Sequence, residues 1–333
     1  MPESARPRLT PAVADVRRAV RESLPVEGLV LVALSGGPDS LALAAAVAFE
    51  ARGRAGAVVV DHQLQDGSDA VAERAAEQAR ALGLDPVRVV RVTVALDGSP
   101  EAAARDARYA ALADVAAETG AAAVLLGHTL DDQAETVLLG LARGSGSASL
   151  QGMAPVAGPY RRPLLGIRRS TTVQACADAG LEPWADPHND DPAYTRVRVR
   201  RNVLPVLEAE LGPGVTEALA RTAEQLREDE EAFATMIDEV AEELAEHIDG
   251  GLAVPVAALA ANPAALRQRI IRFVVASEFG VSLSRAHTLE IARLVTDWRG
   301  QGPLDVPGVR VARTGGMIEF RARIAEEHTD GHG

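Results

Sequence analysis

Short, continuous apolar runs, each followed by a longer stretch of helical periodicity, organise the first half of the chain. Leu29 to Leu34 (LVLVAL) opens the series, and a helix is expected from the glycines beyond it to about Phe49. Ala57 to Asp61, Val87 to Val94 and Ala122 to Gly127 repeat the pattern. Helices are expected between them over about Ser68–Leu82, Pro100–Thr119 and Asp131–Ala142. Runs that are apolar on both faces and alternate with helices predict a parallel sheet covered on both sides, a doubly wound α/β domain. In such a sheet a ligand sits outside the carboxyl ends of the strands. The polar clusters Ser35 to Ser40, Asp61-His62 and His128 to Glu135 all fall there.

Beyond this the pattern changes. Gly144 to Gly158 is rich in small residues and reads as a mobile loop. A helix over about Ser170–Ala179 and a polar stretch, Trp184 to Tyr194, follow. From Val197 the periodicity is helical, interrupted early by Pro205. Val215 to His247 predicts one long charged amphipathic helix or two, ended by Gly250-Gly251. Residues 252–295 read as a small helical unit and 302–320 as a β-hairpin turned at Gly315-Gly316. The expected division is an α/β domain over 1–208, a smaller, mainly helical domain over 209–325 and a polar tail over 326–333.

At 333 residues and 47% hydrophobic content the chain can bury real cores, but aromatics supply only 3%. Those cores must be built from Ala, Val and Leu. No run approaches the ~20 apolar residues of a membrane span, and Met1 to Arg18 lacks a signal-peptide core; a soluble, cytoplasmic protein is expected. Cys176 is the single cysteine, which excludes an internal disulfide or a cysteine-rich metal site. The net charge of -13 argues against a nucleic-acid partner, yet Arg161 to Arg201 is locally rich in arginine. The chain contains no lysine, so a phosphate loop of the G-x-x-x-x-G-K-[ST] type cannot exist here.

Several strings carry chemistry. In Ser35-Gly36-Gly37-Pro38-Asp39-Ser40, glycines let the backbone approach a phosphate, and the helix that follows offers free N–H groups. Pro38 suits a first helical turn, and both serines add hydroxyls. Asp131-Asp132-x-x-Glu135 puts Asp131 and Glu135 on one helix face, able to bind Mg²⁺ or a cationic amine, or simply to favour a helix start. Arg105 and Arg108 share a face and can reach phosphates, with an ion pair to Glu101 the plainer reading for Arg105. Arg196, Arg198 and Arg200 alternate with valines, as in a half-exposed strand, and with Arg201 can present a basic edge to RNA. Cys176 reads as buried filler.

The hexapeptide Ser35 to Ser40 resembles the pyrophosphatase loop of the N-type ATP pyrophosphatases. Within that superfamily the chain is most similar to the tRNA(Ile)-lysidine synthetase family. Val60 to Leu64, Glu101 to Tyr109 and Gly127 to Thr136 match its strings, as do Arg143 to Gly146 and Arg162 to Leu165. So do Asp186 to Asp190, Tyr194 and Arg196 to Leu204, in the family's order.

The resemblance implies ATP-dependent ligation of free L-lysine to C2 of cytidine 34 in the CAU anticodon of a tRNA(Ile), through an adenylylated cytidine, with release of pyrophosphate and AMP. It implies ATP contacts at Ser35 to Ser40, Asp61, His62 and His128, and catalytic roles for Asp39, Arg108 and Asp132. Mg²⁺ would be held by Asp39 and Asp132, with a general-base role for Asp39 as the alternative. Lysine or tRNA would be gripped by Asp131, Asp132, Glu135, Arg196, Arg198, Arg200 and Arg201. A homodimer is implied, and no membrane partner. Longer family members carry a second C-terminal domain, and this chain is expected to end after one. Two other readings stand: a small-molecule amidoligase with the same loop, and a non-catalytic binding protein, which leaves the intact motifs unexplained. Sulfur transfer, which needs at least two cysteines, is excluded.

Overall fold

The computed structural model describes residues 9–63, 67–93, 100–144 and 147–323. Leu64, Val94, Ser145, Gly146, the tail 326–333 and the side chains of Glu101, Asn189 and Asp190 lie outside the described residues. The chain divides into two compact units between Arg227 and Glu228.

The first unit alternates strand and helix. Its elements are α1 (Pro11–Ser23), β1 (Val30–Ala33), α2 (Pro38–Glu50), β2 (Ala55–Asp61), α3 (Ser68–Ala81), β3 (Val87–Arg91), α4 (Pro100–Thr119), β4 (Ala123–Leu126) and α5 (Leu130–Ala142). There follow α6 (Ser147–Leu150), β5 (Val156–Ala157), β6 (Tyr160–Arg161), α7 (Arg169–Asp178), α8 (Thr195–Arg198), α9 (Leu204–Leu211) and α10 (Val215–Leu244), which contains the division between units. The expected boundary at 208 lies within α9.

The sheet order is β3-β2-β1-β4-β6-β5, parallel except for β5. The chain winds outward from β1 to β3 and then returns to place β4 on the other side of β1. That reversal opens a crevice at the carboxyl ends of β1 and β4. The double covering follows from the pleat, since successive side chains point to opposite faces. Val30 and Val32 pack with α1, α2, α3 and α7, whereas Leu31 packs with Val58, Val124 and Leu112 of α4. Burying each such side chain contributes about 1.5–3 kcal/mol.

Two expectations are corrected here. The stretch 147–158 contains α6 and β5 and is tied down at Met153: the Gln133 amide donates to Met153 O (2.9 Å) and accepts from Met153 N (2.6 Å). Arg227 adds a hydrogen bond to Gln151 O (2.6 Å). The Arg-Val alternation is no strand, because 195–203 is helical, α8 running into a wider π turn, Val199–Val203. Val197, Val199 and Leu204 are buried, Val199 and Leu204 against α5, and tertiary packing overrides the period-2 reading.

The second unit contains α11 (Val256–Ala261), α12 (Ala264–Phe279) and α13 (Arg285–Thr296), the helices expected of it. It also contains five antiparallel strands, β7 (Glu246–Ile248), β8 (Gly251–Pro255), β9 (Leu304–Val306), β10 (Val309–Thr314) and β11 (Met317–Ala322), in the order β7-β8-β11-β10-β9. The hairpin turns at Gly315-Gly316 as expected, with Thr314 opposite Met317. Helix α10 ends before His247, which lies in β7. Its core joins Ile270, Ile271, Val274 and Ile291 to Val309, Val311, Ile318 and Phe320.

Candidate active site

The loop Ser35–Ser40 leaves β1 at the crevice. Gly36 takes φ +82°, which suits glycine, and Gly37 caps α2 without a side-chain hydrogen bond. The first-turn N–H groups of α2 thus remain for an anion. The loop is closed on itself: the Ser40 hydroxyl accepts from Ser35 N (3.2 Å), donates to Gly37 O (3.0 Å) and lies 3.1 Å from Ser35 Oγ. Trp184 N donates to Gly36 O (2.9 Å), tying the later polar stretch to the loop.

Strand β4 brings the second cluster. Thr129 caps α5 in a reciprocal box, its N–H and hydroxyl both donating to Asp132 Oδ2 at 2.8 Å. The other oxygen, Oδ1, meets Arg169 Nη2 at 2.6 Å and Arg200 Nη2 at 3.5 Å. Burial works against the Asp132 charge, but Arg169 and the Thr129 hydrogen bonds outweigh it and hold its pKa below the ordinary value. Asp39 shows the opposite balance. Burial and the nearby Asp132 raise its pKa, although Arg169 Nε lies 3.1 Å away and the Thr172 hydroxyl donates to it.

These groups face one cavity of about 660 Å³, lined also by Asp61, His62, Arg105, Arg108, His128, Trp184, Asp186, His188, Arg196 and Arg201. Arg108 has no carboxylate partner among the described residues; its guanidinium lies 5.8 Å from the Tyr109 ring centroid. Burial lowers its pKa, and Arg105 and Arg196 push the same way. A desolvated cation without a counter-ion favours an incoming anion. His62 and His128 are both lowered by burial, His128 to about 4, so His128 is neutral at physiological pH and offers hydrogen bonds rather than charge.

The cavity thus brings together Ser35, Gly37, Pro38, Asp39, Ser40, Asp61, His62, Arg108, His128, Asp132, Arg196, Arg200 and Arg201. Four other candidates lie outside its lining. Gly36 shapes the loop from behind. Asp131 accepts from Arg169 N (2.8 Å) and pairs with Arg168 (3.1 Å), clamping α7 to α5. Glu135 is fully buried, with Arg200 at 2.7 and 3.1 Å and Arg196 at 3.7 Å, so it fastens arginines from behind the cavity wall. Arg198 points away and caps the preceding turn through Pro192 O (2.6 Å) and Ala193 O (2.8 Å). The reason is periodicity: in a helix Arg196 and Arg200 share a face and Arg198 does not.

Arg169 and Thr172 are site residues that the sequence pattern missed. The only signal for Arg169 was its place in the arginine-rich segment. Arg105 stacks on Tyr109 at 4.9 Å from the ring centroid, and the ion pair expected with Glu101 falls outside the described residues. Cys176 is buried with its thiol toward Pro38 O (3.2 Å), and burial pushes its pKa up to about 11.

A doubly wound sheet with a lysine-free glycine loop at its switch point, facing paired carboxylates and arginines, defines a PP-loop nucleotide-binding protein. Residues 12–207 match the PP-loop domain family, and residues 255–318 match the TilS substrate binding domain. A tRNA(Ile)-lysidine synthase of Leifsonia xyli is 66% identical, over 88% of this chain and 89% of its own. One from Thermobifida fusca is 53% identical over 91% and 95%. The chain belongs to the tRNA(Ile)-lysidine synthase family. Among solved structures, a U34-tRNA thiolase of Methanococcus maripaludis shares the fold, with a TM-score of 0.55 and 20% identity over 65% of this chain and 80% of that one. Among the described residues no helix is long and apolar enough to cross a membrane.

Proposed function

We propose that the cavity joins ATP, a tRNA(Ile) with a CAU anticodon and free L-lysine. In the first step O2 of cytidine 34 attacks the α-phosphorus, and the bond to the bridging oxygen breaks to release pyrophosphate. In the second the lysine ε-amine attacks C2, loses a proton, and AMP departs with the former O2. The Ser35–Ser40 loop and the N-terminus of α2 hold the leaving pyrophosphate. Arg108 neutralises charge at the transferring phosphate, the term that dominates phosphoryl-type transfers. Asp61, His62 and His128 supply hydrogen bonds to the nucleoside.

Magnesium suits the donor set. Mg²⁺ takes one or two carboxylates and completes its shell with water and phosphate oxygens, and Asp39 and Asp132 are two carboxylates from neighbouring strand ends. Among the described residues no group of three or more His, Cys, Asp or Glu forms a dedicated metal cage. Asp39 and Asp132 would hold the ion, which would neutralise the phosphates. Arg196, Arg200 and Arg201 form the edge toward the anticodon, and of Asp131, Asp132 and Glu135 it is Asp132 that lines the cavity and meets the lysine amines. A homodimer is part of this reading, and sedimentation velocity giving the mass of a single chain would remove it.

The supporting observation is that Arg108, with no carboxylate partner among the described residues, faces the same cavity as the phosphate loop and Asp132, in a chain of this family. The test is ATP-dependent attachment of labelled lysine to a tRNA(Ile) transcript with anticodon CAU, beside one with C34 changed to U. Label on the first alone supports the reading. AMP release without label on either sends the activity to another acceptor, such as the small molecule of an amidoligase.

A further inference from the structure

Arg169 opens α7 with its guanidinium between carboxylates from two strand ends. Nε lies 3.1 Å from Asp39 Oδ2, and Nη2 lies 2.6 Å from Asp132 Oδ1. Nη1 reaches Glu135 Oε1 at 3.4 Å, and the backbone N–H is fixed by Asp131 (2.8 Å). Its neighbours cannot replace it. Arg200 is committed to Glu135 and stands 3.5 Å from Asp132, and Asp39 has no other cation within salt-bridge distance among the described residues. Burial disfavours the guanidinium charge, but Asp132, Asp39 and Glu135 outweigh it and raise its pKa.

We propose that Arg169 is the resident counter-ion of the Asp39–Asp132 pair and keeps free divalent metal out until nucleotide phosphates arrive to take the guanidinium. The argument is one of charge. Two carboxylates and one guanidinium sum to -1; a lone divalent cation would reverse that to +1 in a desolvated pocket, where an unbalanced charge is costly. A triphosphate entering with the metal adds a charge of about -4 to its +2, which Arg105, Arg108, Arg196, Arg200 and Arg201 of the same cavity wall are there to meet, and it gives the planar fork of Arg169 oxygens to bind. Metal and nucleotide therefore bind together, and Arg169 positions both. What arrives rests on the function proposed above; the exclusion of metal does not.

The experiment is Mn²⁺ binding followed by electron paramagnetic resonance on the full chain, without nucleotide or tRNA. Wild type is expected to bind Mn²⁺ at least tenfold more weakly than Arg169→Gln. Arg169→Lys, a single point charge without the fork, is expected between them. Adding a non-hydrolysable ATP analogue should bring wild type to the affinity of the Gln variant. Arg169→Gln/Asp39→Asn should lose the gain, placing the ion at the pair. Tight Mn²⁺ binding by wild type alone overturns the proposal without any variant, and equal affinities of wild type and a folded Arg169→Gln overturn it too. Failure of lysine attachment with the expected Mn²⁺ behaviour would instead strike the proposed substrate.

Discussion

Gly127 follows directly on β4, where the first turn of α2 passes close. A methyl group there would lie 3.1 Å from Ser40 N and 3.2 Å from both the Asp39 carbonyl carbon and Ser40 Cα. Carbon contacts are most favourable at about 3.5–4.0 Å, so Gly127→Ala forces the loop or the strand back by about 0.3–0.8 Å. All three atoms are backbone, and no side chain can swing aside. Overpacking of this kind costs about 1–3 kcal/mol, and in a unit of this size each kcal/mol lowers Tm by about 2–4 °C. The effect on chemistry should be the larger, because the displaced atoms carry Asp39 and the N–H groups meant for phosphate. A misplacement of about 1 Å can cost about 100-fold in rate, so about tenfold is expected here.

The assay is AMP formation from α-labelled ATP with tRNA and lysine, beside a thermal melt. Gly166→Ala is the control, since nothing lies within 4 Å of its added methyl group. AMP formation within twofold of wild type in Gly127→Ala, with unchanged Tm, would refute the claim that the loop's position depends on this close approach.

Four further outcomes are expected. Asp39→Ala should reduce AMP formation by about 100-fold or more, while circular dichroism shows the fold retained, because Arg169 keeps Asp132 and Glu135 as partners. His128, lowered to about 4 by burial, should show no titration by NMR between pH 6 and 8. The unfolded chain takes this proton near pH ~6.5 and the folded chain only near 4, so urea melts should show stability falling as pH drops through that window. Glu208 accepts hydrogen bonds from Gly214 N, Val215 N and Thr216 N at the start of α10, so Glu208→Ala should destabilise by about 1–2 kcal/mol in urea unfolding. Arg201→Ala should weaken tRNA binding and reduce the slope of log K against log salt by about one; an unchanged slope would take Arg201 off the RNA path.

Where local pattern and tertiary demand agree, the sequence is enough to place an element. Leu29 to Leu34 and Ala122 to Gly127 are strands because a run apolar on both sides has no other home than a sheet covered twice. The glycines after the first run mark the phosphate loop by conformation alone. Arg196 to Arg200 shows where that logic stops. The valines alternate as in a strand, yet helix α5 offers an apolar surface that Val199 and Leu204 cover from a helix. Arg198 consequently leaves the site and Arg200 enters it. Asp131 and Glu135 lie outside the cavity lining for a related reason: sharing a helix face says nothing about which cations stand opposite, and these come from the start of α7 and from the turn after α8, far along the chain.

The net charge of -13 is the clearest case of a global quantity misjudging a local one. The cavity is lined by six arginines, at 105, 108, 169, 196, 200 and 201, against four carboxylates, Asp39, Asp61, Asp132 and Asp186. With His128 neutral, those ten groups leave an excess of two positive charges in a chain that is strongly acidic as a whole. A Debye length of about 8 Å at physiological salt screens an anion in the cleft from exposed charges further off than that. What an approaching phosphate meets is therefore set by the cavity wall. The acidic remainder still acts at low ionic strength, where repulsion reaches further, so the overall charge bears on how quickly a polyanion associates, and the arginines on where it comes to rest.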